Sequence, residues 1–137
     1  MPELFSSEWA QNYKAIWNSN EGIADDLGRK GFNSTVAFGM DGEAEPRVVL
    51  TISNGQIMSA GAPRGETLNW DLRASSEEWE TLVNKPPGLM KLGLAYTSRK
   101  LKFNQGDYAV MIKDPALSAA FVKCFALMGK ALLESKA

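Results

Sequence analysis

Apolar residues recur at helical spacing near the start of the chain. Trp9, Tyr13, Ile16 and Trp17 fall on one face, which predicts a helix opening at Ser6 or Ser7. Asn18-Ser19-Asn20 interrupts the pattern. Ile23 and Leu27 mark a shorter second helix, which Gly28 and Gly31 are expected to end. The period then changes to two. Phe32, Ser34, Val36 and Phe38 alternate with Asn33, Thr35 and Ala37, and Asp41-Gly42 supplies a turn. Val48, Leu50 and Ile52 alternate with Val49, Thr51 and Ser53. Asn54-Gly55 predicts a tight hairpin, because both of its positions take positive φ, and residues 57–60 read as the returning strand. After a loop at Gly61–Gly65, Leu68, Trp70, Leu72 and Ala74 alternate with Asn69, Asp71 and Arg73. Four strands with short connections predict an antiparallel meander with one dry face.

Helical periodicity returns at Ser75-Ser76-Glu77-Glu78, a capping box in which Ser75 accepts from an early amide. Trp79, Leu82 and Val83 form the buried stripe of that helix. Lys85-Pro86-Pro87-Gly88 ends it, with Pro87 placed to open the next. There, Leu89, Met90, Gly93, Leu94 and Thr97 read as one face with a small residue at its middle. Lys100 to Phe103 alternates as a fifth strand, and Gly106-Asp107 caps a short helix over 108–113. Asp114-Pro115 opens the last helix, where Leu117, Phe121, Cys124, Phe125, Met128 and Leu132 recur at helical spacing. Val122, Leu127 and Leu133 lie outside that stripe, so the polar face is narrow. Covering one side of a sheet needs a stripe of only about a third of the circumference. Two readings stay open: a helix thoroughly buried or covering a dimer contact, and a helix whose spare surface lines a cavity.

Composition narrows the chemistry. The 137 residues fit a single domain, 1–137, and the 45% apolar and 23% charged content is that of an ordinary globular protein. A formal charge of -1 gives no net pull toward nucleic acid or anionic membranes, and no apolar stretch predicts stable membrane insertion. Cys124 is the only cysteine, which forbids an internal disulfide and suits a reducing compartment. The N-terminus lacks a secretory pattern, and Ser135-Lys136-Ala137 departs from the peroxisomal Ser-Lys-Leu, so a cytoplasmic location is expected. There is no histidine. Serine and cysteine nucleophiles then lack their usual base, and the common zinc sites cannot be assembled. We therefore expect no catalysis, no metal and no cofactor. The tryptophans read as core anchors, and Arg99, Lys100 and Lys102 as a solvated strand edge that resists aggregation.

Taken in order, these elements resemble a known family. The strand Trp70-Asp71-Leu72-Arg73-Ala74, the capped helix with Glu78-Trp79, and Lys100-Leu101-Lys102-Phe103 before Gly106-Asp107 are similar to the sterol carrier protein type-2 family. The match runs over residues 20 to 113, and its specific part is Leu68 to Asp107. Lys85-Pro86-Pro87-Gly88 and Arg99-Lys100-Leu101 depart from the family pattern, as does the long segment after Asp114.

The resemblance implies an α+β fold: a five-stranded, mainly antiparallel sheet with helices packed on one face, enclosing an apolar cavity. It implies non-catalytic binding, with or without transfer, of a fatty acid, acyl thioester, phospholipid or sterol in an apolar tunnel. The expected lining is Trp70, Leu72, Trp79, Leu82, Met90, Leu94, Phe121, Phe125 and Met128. Two alternatives stand beside it. One is a dimerisation or interaction module that shares the fold without a cavity. The other is an enzyme working on a lipid-like substrate through Asp71, Tyr96 or Asp107.

Overall fold

The computed structural model describes residues 4–29, 31–85 and 88–134. Helices α1 (Ser7–Ser19) and α2 (Glu21–Arg29) lead into strands β1 (Ser34–Met40), β2 (Val48–Ser53), β3 (Gln56–Gly61) and β4 (Trp70–Ala74). Then follow α3 (Ser76–Asn84), α4 (Leu89–Thr97), β5 (Leu101–Gln105), α5 (Tyr108–Lys113) and α6 (Pro115–Glu134). The expected helix start at Pro87, the side chains of Leu132 and Leu133, and Ser135-Lys136-Ala137 lie outside the described residues.

Local chemistry sets the helix ends. Ser6 Oγ accepts the Trp9 amide at 3.2 Å, Ser75 Oγ the Glu78 amide at 3.2 Å, and Asp107 the Ala109 amide at 2.9 Å. Asp114 caps α6 through the Ala116 amide at 3.0 Å. Asn20 does more than interrupt: its side chain accepts the Ile23 amide at 3.0 Å and so starts α2. Gly28 does not end α2 but lies within it. It is bare because a Cβ there would meet the Asn54 carbonyl oxygen at 3.0 Å, and the left-handed turn falls to Gly31 at φ +63°.

The strand order is β3-β2-β1-β4-β5, with Asn54 and Gly55 at φ 49° and 80° turning the β2–β3 hairpin. The meander is corrected at one joint. β4 pairs in parallel with β1, Val36 opposite Trp70 and Phe38 opposite Leu72, and does not follow β3. Alternation fixes which face a side chain takes but not which strand lies beside it. Residues 62–69 make no tight turn, so they can return the chain to the open edge of β1.

The helices cover the face that carries Val36, Phe38, Leu50, Ile52, Ile57 and Leu72. α6 runs in their midst, against α1, α2, α3, α4 and α5 as neighbours. Tyr13 Oη donates to the Cys124 carbonyl at 3.1 Å, and Trp9 Nε1 to the Met128 carbonyl at 3.2 Å. Its wide apolar surface is thereby accounted for: Cys124, Phe125, Leu127, Met128 and Ala131 are all buried. Trp17 and Trp79 anchor the core similarly, with Nε1 on the Gly55 and Gly39 carbonyls, each at 2.8 Å.

On the opposite face of the sheet, Asp71 and Arg73 are buried as a bidentate pair, at 2.7 and 3.1 Å. Arg73 also donates to the carbonyls of Glu43, at 2.6 Å, and Met40, at 3.3 Å, tying down the β1–β2 connection. Gly39 makes room for this; a Cβ would stand 2.8 Å from Pro46 Cα and 3.1 Å from Arg73 Nε.

Candidate functional site

Between the sheet and the helices lies an apolar pocket of about 80 Å³. Val36 and Phe38 of β1, Leu50 and Ile52 of β2, and Trp70 and Leu72 of β4 form its floor. Leu117, Ala120, Phe121 and Cys124 of α6 form the opposite wall. Trp17, Leu27, Phe32, Phe103 and Met111 close the sides. Its position follows from the sequence pattern: inward residues of three neighbouring strands face one side of α6, where a small Ala120 sits among larger neighbours. Gly106, at φ +103°, holds the β5 end against Trp70, whose ring a Cβ would strike.

The walls offer almost nothing for water to bond. Trp17 already spends its N–H on the Gly55 carbonyl, and the Cys124 thiol donates to the Phe121 carbonyl at 2.9 Å. About 80 Å³ is several times the ~10–15 Å³ that admits one water, but walls without polar partners favour an apolar guest over water.

No family model matches this sequence, and no curated protein matches it. Solved structures do. Sterol carrier protein 2 in crystal form is 19% identical, with the match covering 93% of this chain and 98% of that one at a TM-score of 0.73. The solution structure of a possible sterol carrier protein from Thermus thermophilus is also 19% identical and covers 94% of this chain and 90% of that one, at 0.70. The UbiJ-SCP2 ubiquinone synthesis protein is 15% identical and covers 97% of both chains, at 0.60. The chain has the sterol carrier protein 2 fold.

Within this sterol carrier protein 2 fold, the nine expected lining residues part into three groups. Trp70, Leu72 and Phe121 meet at the pocket. Trp79, Leu82, Phe125 and Met128 are buried beside it, in packed core. Met90 and Leu94 stand on the outside of α4, 83% and 64% exposed. α4 instead buries Leu92, because a helix apolar at nearly every position carries no period to choose its inner face, and packing against β5 and α6 chooses it. The expected lining left out Trp17, Leu27, Phe32 and Met111, which come from four separate segments. Only the tertiary arrangement brings those together.

Burial favours the neutral forms of two ionisable groups of this chain. The Cys124 thiol and the Tyr13 phenol are both raised by desolvation from ordinary values of 9.0 and 10.0. Below those values both states of the protein keep the protons. Above them the unfolded chain releases protons that the folded chain retains, so stability falls as pH rises. Each group accounts for about 1.4 kcal/mol per pH unit. Urea midpoints are expected to drop steadily above about pH 9, and Cys124→Val to make the decline shallower. A midpoint unchanged across the alkaline range contradicts the assignment.

Proposed function

We propose that the chain, acting as one unit over residues 1–137, binds a lipid or similar hydrophobic small molecule in the pocket between sheet and α6. The observation that carries this reading is a pocket walled by nonpolar side chains between the sheet and α6, beside the buried core. Removing the guest's surface from water drives binding, at roughly 25 cal/mol per Å² before ordering costs. No charged contact is needed. A lipid chain must widen the seam as it enters, and Met111 and Phe121 are the side chains placed to give way, methionine through its flexibility. Trp70, Leu72 and Phe121 touch the guest; Trp79, Leu82, Phe125 and Met128 hold the walls behind them.

The solved structures that share the fold support the reading by name, two being a sterol carrier protein and a ubiquinone synthesis protein. The reading is of a binder. Asp71 is paired with Arg73, Asp107 caps α5, and the ring of Tyr96 stacks on Tyr108 with centroids 4.2 Å apart. Among the described residues no helix is long and apolar enough to cross a membrane. A single cysteine, and hence no internal disulfide, supports a place in the cytoplasm.

Native mass spectrometry of gently purified protein, mixed with fatty acids, acyl thioesters, phospholipids and sterols, tests the proposal. One guest per chain with saturable uptake is the expected result. Protein that stays ligand-free across the whole panel would rule it out.

A further inference from the structure

Among the described residues, Met58 is exposed alone on β3. The other exposed large apolar side chains, Leu89, Met90, Leu94, Tyr96 and Val110, all fall between residues 89 and 110. Met90 and Leu94 are four apart on α4, so they stand together on its outer face. α5 adjoins α4 through the stacked rings of Tyr96 and Tyr108, and Tyr108 Oη lies 3.1 Å from where a Gly93 Cβ would be. On α5, Val110 is 59% exposed while its neighbour Met111 lines the pocket.

The same stretch is strongly basic. Residues 85–113 contain Lys85, Lys91, Arg99, Lys100, Lys102 and Lys113 against the single acid Asp107, a net +5 in a chain of net -1. The remainder is therefore net -6. Lys102 is paired with Asp41 at 2.9 Å, while Lys85, Lys91, Arg99, Lys100 and Lys113 are exposed. A solvated edge needs the lysines but not Met90, Leu94 and Val110. Apolar side chains interspersed with cations of one sign suit the boundary between anionic headgroups and acyl chains.

We propose that the α4–α5 face docks the protein peripherally on anionic lipid bilayers. Met90, Leu94 and Val110 enter the headgroup boundary and Lys91, Arg99, Lys100 and Lys113 meet the lipid charges. The inference goes beyond ligand binding and does not require the pocket to be filled. It would place α5 between the membrane and the pocket.

Flotation of the full chain with phosphatidylcholine vesicles, with and without phosphatidylglycerol, tests this. Binding is expected only to the anionic vesicles and is released by high salt. Lys91→Gln and Lys113→Gln should each weaken it about fivefold, and Leu94→Glu and Val110→Glu each at least about tenfold. Met58→Glu, outside the face, should leave it unchanged. Equal binding to both vesicles, binding to neither, or equal loss from Met58→Glu overturns the proposal. So does a dimer in light scattering that Val110→Glu dissociates, since the face would then be a contact between copies. Uptake of a fluorescent fatty acid by Val110→Glu in solution should match the parent, so a failed pocket and a failed docking face give different results.

Discussion

Ala120→Phe is expected to remove hydrophobic-ligand uptake while leaving the protein as stable as the parent or more so. Ala120 is 8% exposed and sits on the α6 wall of the pocket. In a filled core, added methylenes force neighbours off their rotamers and cost about 1–3 kcal/mol. Here the ring enters a void instead and gains contacts on all sides. It also takes the place of the guest. Losing on the order of 100 Å² of guest contact removes about 2.5 kcal/mol, or roughly seventyfold in affinity. Ala10→Phe is the control. Ala10 is fully buried in the packed part of α1, and the same ring there should lower the urea midpoint. If both variants are destabilised alike, or if Ala120→Phe takes up ligand as the parent does, the pocket is not the binding site.

The second large effect lies on the other face of the sheet. Asp71→Asn keeps the shape of the side chain and removes its charge, stranding a guanidinium that is only 2% exposed. Breaking one member of a buried ion pair costs about 3–5 kcal/mol, mostly because the remaining charge stays desolvated. Replacing both partners, Asp71→Leu with Arg73→Met, should recover most of that loss, since the pair itself contributes little beyond its apolar equivalent. The connection through residues 41–47 should exchange its amides faster in Asp71→Asn, because Arg73 also holds the Met40 and Glu43 carbonyls. Chemical denaturation of the three proteins decides it. A change below about 1 kcal/mol for Asp71→Asn would mean that water already reaches Arg73.

Much of this molecule can be read from its pattern. The element sequence, the caps at Ser6, Ser75, Asp107 and Asp114, and the Asn54-Gly55 hairpin each depend on residues within about five positions of one another. Trp70 and Leu72 could be assigned to the inner face because a strand has two sides and only one is apolar. α4 shows the limit. With Leu89, Met90, Leu92, Leu94 and Ala95 around its circumference, its residues define no preferred side. The pattern put Met90 and Leu94 inside; the fold put Leu92 there. Likewise, the apolar breadth of α6 could equally signal burial or a ligand wall. Both hold, on different turns: Phe125 and Met128 are packed solid, and Leu117, Ala120 and Phe121 face the void.

The kind of each element, most of the helix caps and the lack of histidine are legible in the residues alone. These are properties of neighbouring side chains and backbone, or of composition, and need no partner to be expressed. Packing between distant segments is what sets β4 parallel to β1, brings Trp17, Leu27, Phe32 and Met111 together with Phe121, and leaves a gap between them. A void is a difference between the volume several distant segments enclose and the volume their side chains fill. No single stretch of chain contains that difference.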